Sequence, residues 1–286
     1  MKQLIVNADD FGLHESINFG IIEGHTQGCI TSTSIMAGGP AFEHAVALAA
    51  DHPQLGIGVH LTLVGGRSVI DPGAIPSLVD SEGMLCTSYP AFLKKFCLAG
   101  IRLDDVRREL TAQVKRILSA GITITHLDSH QHMHVVPGIL DIVLSIAKEF
   151  NIKAMRIPAE SLVFLGGFKP GAGRIIGRCG LSILASLACF KARQAGLAAP
   201  DHFYGMLAGG SMEEKLLLTI IDNLSEGITE VMVHPGLDEV ALNSVFNWQY
   251  HWQQELNAVT SCRVVQRLEQ ENIKLVSFAR MNNSKG

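Results

Sequence analysis

Short apolar runs rich in β-branched residues alternate along the chain with longer stretches of helical period. The pattern predicts strands over 4–6, 30–36, 57–63, 122–127, 153–157, 230–233 and 273–278. Helical spacing falls between them, over 15–27, 41–50, 104–119, 139–150, 212–224 and 248–270. Within 104–119, Val106, Leu110, Val114 and Leu118 recur every four residues and so line one face of a helix. Strand–helix alternation requires parallel strands joined by helical crossovers. About seven such strands favour closure over an open sheet, so the expected α/β fold is a distorted (β/α) TIM-like barrel. The rhythm fails across 161–210, where Gly166, Gly167, Gly171, Gly173, Gly177 and Gly180 surround short apolar pieces. The chain is therefore read as one domain over 1–286 with an insertion around 161–210 over the barrel mouth. Within it, Leu181–Phe190 reads as a buried helix, with a groove lining as the alternative.

Composition supports a large core: of 286 residues, 47% are apolar and 17% charged, which excludes disorder and a disulfide-stapled miniprotein. A net charge of −4 gives no basic face for nucleic acid. The longest apolar run, Cys179 to Phe190, is bounded by Arg178 and Lys191 and is too short to span a bilayer. Leu4-Ile5-Val6 runs straight into Asp9-Asp10 and does not read as a signal peptide, so the cytoplasm is the expected setting. The six cysteines are far apart, form no metal knuckle, and are expected to be mostly buried as small apolar groups.

Chemistry concentrates in His126-Leu127-Asp128-Ser129-His130-Gln131-His132-Met133-His134. Its histidines and Asp128 share even parity, so an extended chain projects them to one side, at the C-terminal end of a strand. In barrels that end carries the reaction. Asp9 and Asp10 close the first strand, where they cap the next helix or divide metal binding from general-base work. His60 lies inside the apolar strand Gly58-Val59-His60-Leu61-Thr62-Leu63; it is a core imidazole or the third member of a site with Asp10 and His130. His234, before Pro235-Gly236, ends a late strand and suits a general acid or a plain turn. Arg156 ends another strand, where it orients a carboxylate or lies on the surface.

Taken together, Asn7-Ala8-Asp9-Asp10-Phe11-Gly12, the His60 strand and the His126–His134 run resemble the YdjC-like carbohydrate deacetylases, a family that includes chitooligosaccharide deacetylase. The resemblance runs from residue 3 to about 160 and returns at His234-Pro235-Gly236. Phe96-Cys97-Leu98-Ala99-Gly100 and Gln131–Pro137 further resemble the hopanoid-biosynthesis-associated branch. The resemblance implies metal ligands at Asp10, His60 and His130, a base at Asp9 and an acid at His234. Arg156 falls where related polysaccharide deacetylases carry an arginine that holds the base, and His126, Asp128 and His132 are left as supports of a ligand imidazole or as substrate contacts.

The implied fold is again the distorted barrel. The implied cofactor is one divalent ion, Zn²⁺ or Mg²⁺, with Co²⁺ and Ni²⁺ compatible with the same donors. The implied reaction is hydrolysis of an N-acetylated amino sugar, a chito-oligosaccharide or an N-acetylglucosaminyl glycolipid, to acetate and a free amine. A lipid-linked substrate would bring contact with a membrane surface, and a homodimer is compatible with the sequence. Two rivals stay open: a metal-dependent phosphoesterase or amidohydrolase-type barrel, and a non-catalytic sugar- or lipid-binding protein with a structural metal.

Overall fold

A computed structural model describes residues 1–161 and 172–281, with side chains from 180 onward in the second stretch. The glycines at 166, 167 and 171 lie outside the described residues. The strands are β1 (Lys2–Phe11), β2 (Ser32–Ile35), β3 (Gly56–Leu61), β4 (Ile124–Ser129), β5 (His202–Tyr204), β6 (Gly227–Val233) and β7 (Lys274–Leu275). The helices are α1 (Glu15–Gln27), α2 (Phe42–Asp51), α3 (Tyr89–Cys97), α4 (Leu103–Ser119), α5 (Ile139–Glu149) and α6 (Ala172–Gln194). They continue with α7 (Glu214–Asp222), α8 (Glu239–Val245), α9 (Trp252–Val259), α10 (Cys262–Gln270) and α11 (Phe278–Met281). Every strand pairing is parallel, in the order β4-β3-β2-β1-β6-β5, with β7 added beside the start of β1. This is the distorted α/β barrel that strand–helix alternation predicts.

The stretch predicted as a strand over 153–157 is held by isolated bridges rather than a ladder. Met155 pairs with Leu127, Ala154 with Ala198 and Glu160 with Phe203, so the segment bridges the wall between β4 and β5. The single helix expected over 248–270 is two helices, α9 and α10, broken at Thr260-Ser261. Ser261 caps the second by accepting from the Arg263 amide at 3.2 Å, a local bond that competes with helix continuation. The last predicted strand keeps only Lys274–Leu275 before the chain turns into α11. Of the five cysteines with described side chains, only Cys29 is buried; Cys97 and Cys262 are exposed. The expectation of mostly buried thiols therefore fails.

Strand alternation sorts side chains into two layers. Leu4, Val6 and Ala8 join the large cluster between sheet and helices, whereas Ile5 packs inside the barrel with Ala154, Val276, Phe278 and Met281. That inner cluster plugs the bottom. Above it the interior turns polar: Asn7, Ser34, His126, Glu230, Asp128 and Arg156 are all buried. The His126 ring stacks on Phe278 with centroids 3.8 Å apart and planes 14° apart. Its opposite side meets β3 at Gly58, where an added Cβ would lie 2.3 Å from the His126 ring.

Gly58→Ala should therefore destabilise the protein by about 1–3 kcal/mol, because the stacked ring has nowhere to go. Gly180→Ala on α6, where a Cβ meets nothing within 4 Å, should be neutral or stabilising by up to about 1 kcal/mol. Urea unfolding of the two variants checks the contrast; equal effects would contradict the close packing at Gly58.

Candidate active site

Consecutive strand residues normally face opposite sides of a sheet, so Asp9 and Asp10 need a local device to share one site. β1 supplies it: its register with β2 shifts between Ala8 and Phe11, and Asp10 adopts φ 69°. An irregularity of this kind bends the strand and re-aims a side chain, at the expense of a left-handed backbone in a residue with a Cβ. Asn18 of α1 braces the bend by accepting from the Gly12 amide at 2.6 Å.

Arg156 organises the interior. Its guanidinium grips Asp9 through two bonds, Nη1 to Oδ2 and Nη2 to Oδ1, both 2.7 Å. Nη1 also reaches Asp128 Oδ2 at 2.8 Å, and Nε donates to Glu230 Oε1 at 2.7 Å. Asp128 is further tied to Ser34, whose hydroxyl donates to Oδ2 at 2.7 Å, and to His60 Nδ1 at 2.9 Å. With Nδ1 so occupied, His60 Nε2 is directed at Asp10 Oδ1, 3.4 Å away. His130 Nδ1 lies 3.1 Å from the same oxygen, and its Nε2 is buried with no hydrogen-bond partner.

The shared-parity reading of the histidine run holds only as far as β4. His126 and Asp128 point inward from the strand, but His130–Val135 is a short 3₁₀ turn in which Gln131 and His132 take left-handed φ values of 53° and 56°. His130 thus reaches Asp10 from a turn rather than from an extended rung. His132 sits beside Phe203 and His134, with ring centroids 5.9 and 6.3 Å away. His134 donates from Nε2 to the Arg156 carbonyl at 3.1 Å, which fixes the backbone that carries the guanidinium. His126 lies one layer down: Ser34 Oγ is 3.2 Å from its Nε2, and it meets none of Asp10, His60 or His130 in a hydrogen bond. His234 follows β6 at the level of Asp9, since Ala8 pairs with Val233. Its amide donates to Glu255, and its Nδ1, 3.9 Å from the same carboxylate, has no hydrogen-bond partner.

Electrostatics follow from burial plus charge pairing. Burial alone would strip His60 of its proton, but Asp128, Asp9 and Asp10 outweigh it and hold the imidazole up to about 10. Asp10 is buried yet stays well below the usual carboxylate range because His130 and His60 face it. Burial drives Glu230 up to about 7 despite its bond to Arg156. Burial and the nearby Arg156 charge push His126 down to about 3 against the pull of Asp128.

Among the described residues, two groups offer three donors within 4.8 Å of one another: Asp10, His60, His130 and Asp9, His60, Asp128. They share His60 and are not equivalent. Both Asp9 oxygens are taken by Arg156, and Asp128 is taken by Arg156, Ser34 and His60. Among the described residues the Asp10 carboxylate meets only the two imidazoles, and His130 Nε2 has no hydrogen-bond partner. One carboxylate and two imidazoles, with one ring nitrogen braced by a second carboxylate, fit a divalent cation.

Sequence reasoning missed Glu230, Ser34, Asn7 and Glu255. Asn7 donates to both Asp9 Oδ1 and Ser34 Oγ, each at 2.9 Å. A signal existed for two of these: Asn7 has the parity of Asp9, and Glu230 that of His234, so each faces the same interior. Ser34 and Glu255 carry no such mark.

Fold and site together define a (β/α) barrel whose C-terminal rim gathers donors that could hold a divalent cation beside an arginine-bound carboxylate. The family model for YdjC-like proteins matches residues 3–270, and the chain belongs to that family. The match runs well past the motif-bearing segments. The chain is 34% identical to a carbohydrate deacetylase of Brevibacillus brevis, covering 98% of this chain and 99% of the relative. It is 32% identical to a carbohydrate deacetylase of Geobacillus stearothermophilus, over 97% of each. A crystal structure from Enterococcus faecalis V583, of a protein named for a proposed role in cellobiose-phosphate cleavage, superposes with a TM-score of 0.78 at 25% identity, covering 98% of both chains.

Two outcomes test this geometry. Arg156→Met should cost about 3–5 kcal/mol in denaturant unfolding, because it strands buried carboxylates; a loss under 1 kcal/mol would contradict the ion cluster. The His126 ring should stay neutral in ¹⁵N NMR down to about pH 3. Its unfolded counterpart takes up a proton below about 6.5, so this group withdraws stability as pH falls from about 6.5 to about 3. Titration of the folded ring near 6.5 would refute the buried stack.

Proposed function

We propose that this protein is a metal-dependent carbohydrate N-deacetylase, a hydrolase that removes the acetyl group from an amino sugar to give acetate and a free amine. The observation that carries this reading is the Asp10, His60, His130 group set beside Asp9 in the grip of Arg156. The carbohydrate deacetylase names of the Brevibacillus and Geobacillus relatives support the substrate class. Asp10, His60 and His130 would hold one divalent ion, with Zn²⁺ or Mg²⁺ the first candidates. When bound, the ion would lower the pKa of water and polarise the acyl carbonyl.

The chain's own residues supply the rest. Asp9 takes the proton of the attacking water, with its carboxylate plane fixed by the two bonds to Arg156. His234 gives a proton to the departing nitrogen, since an amide nitrogen cannot leave as an anion; Glu255 holds its backbone in place. Asp128 orients His60 through Nδ1. The Arg156 engagement of Asp9 and Asp128 speaks for one ion per chain, against a dinuclear phosphoesterase or amidohydrolase site. The proposed unit is the whole of 1–286, with 161–210 as the variable rim that selects the sugar, and its proposed setting is the cytoplasm.

A glycolipid acceptor is a second reading with one observation behind it. α6 packs on the His130–Val135 turn and leaves Ile183 74% and Phe190 60% exposed, with Leu187 between them. An apolar helix face beside the mouth suits a lipid-linked sugar and contact with a membrane surface; among the described residues no helix is long and apolar enough to cross a membrane. Acetate release from a soluble chito-oligosaccharide, compared with an N-acetylglucosaminyl lipid in micelles, separates the two substrates.

His130→Ala should lose bound metal and acetate release together, by elemental analysis and acetate assay. Asp9→Asn should keep one metal per chain and lose turnover by at least about 100-fold. Near-native turnover in Asp9→Asn would remove the base assignment, and undiminished metal in His130→Ala would remove the ligand assignment.

A further inference from the structure

Between α8 and α9 the chain carries an aromatic residue at every second position: Phe246, Trp248 and Tyr250, leading to Trp252 at the start of α9. Their rings meet in series, with centroids 4.9 Å apart for Phe246–Trp248 and 5.5 Å for both Trp248–Tyr250 and Tyr250–Trp252. The segment is pinned at its far end. Trp252 is fully buried, its carbonyl accepts from the Gly236 amide at 3.2 Å, and the His251 amide donates to the Gly210 carbonyl at 2.8 Å. Tyr250 lies so close over Gly210 that an added Cβ there would come within 2.2 Å of the ring.

Trp248 and Tyr250 behave differently from Trp252. Both stay half-buried, and each faces one side of the site. Trp248 is 5.5 Å from the His130 ring, tilted by 36°, and Tyr250 is 5.0 Å from the His234 ring, edge to face. Core packing is already served by Trp252. Wet aromatic rings set beside a few convergent polar groups are instead the lining of small-molecule sites. The geometry also has a direction: the proposed acid His234 meets the leaving nitrogen, and the sugar ring is attached to that nitrogen. The sugar must therefore lie on the Tyr250 side, with Trp248 extending the same surface toward His130.

Resting on the deacetylase reading above, we propose that Trp248 and Tyr250 form a platform for the apolar C–H face of the sugar ring. They make the enzyme select a pyranose acetamide over a plain acyclic one. The recognition is of ring shape, so it should act on substrate affinity far more than on the chemical step.

The chain holds two tryptophans, which gives a direct probe. In metal-loaded Trp252→Phe, Trp248 is the one indole left, and titration with glucosamine disaccharide, which carries no acetyl group to lose, should quench its emission saturably. Trp248→Phe, which keeps only the buried indole, should show no such change. In acetate-release assays with the N-acetylated disaccharide, Trp248→Ala should raise KM by about tenfold or more and leave kcat within about threefold, with Trp248→Phe in between. Circular dichroism melting of both position-248 variants separates this from misfolding, and Trp248→Phe carries the test if the alanine variant does not fold. A missing quench, or an unchanged KM in a folded position-248 variant, overturns the platform and leaves the deacetylase reading intact. A saturable quench without acetate release by the wild type overturns the deacetylase reading and leaves the platform; failure of both removes both.

Discussion

The Arg156 guanidinium, wholly buried among Asp9, Asp128 and Glu230, is the interaction on which the interior of this barrel depends. A lone buried cation would be prohibitively expensive, and so would three buried carboxylates; each is tolerable because the other is present. The arrangement leaves the centre rich in negative charge even after Arg156 is counted, because Asp10 adds a fourth carboxylate. That excess raises the proton affinity of His60 and makes the rim a place where a divalent ion, taking the place of that proton, would be electrostatically welcome.

Below this layer, neutrality is enforced as strictly as charge is above it. His126 is sandwiched between Phe278 and Gly58, and its donors and acceptors are used up by Ser34 and Thr125. Ser34 accepts from Asn7 and donates to Asp128, so one hydroxyl transmits the position of the apolar plug to the carboxylate that orients His60. The barrel therefore grades from hydrocarbon through neutral polar groups to ions along its axis, and each level fixes the one above.

Much of this was legible in the chain. Strand–helix alternation led to the barrel, and α1 appears over the same residues as its predicted helix, 15–27. The acids after the first strand and the histidines after β4 marked the C-terminal rim. What stayed hidden depended on backbone detail or long-range packing. No local pattern announces the bend that lets Asp9 and Asp10 share a site, because it depends on a left-handed residue other than glycine. The 3₁₀ turn at His130 escaped because parity assumes an extended chain. Glu230 shares the parity of His234, but no local pattern links it to Arg156, its partner across the barrel. The aromatic segment after α8 was absorbed into an overlong helix, since alternate aromatics before a true helix start blur its beginning.

The wall beside Arg156 has an unusual construction. The named strands pair through runs of successive partners, interrupted by register shifts in β1–β2 and β3–β4, whereas the 153–160 segment is stitched to its neighbours by single bridges. Hydrogen bonding alone would make this the seam at which the cylinder gapes first. The residue riveted there is the one that binds three acids drawn from β1, β4 and β6. Mechanical closure of the fold and orientation of Asp9, the proposed base, are thus one and the same fastening, so whatever loosens the seam also frees that carboxylate.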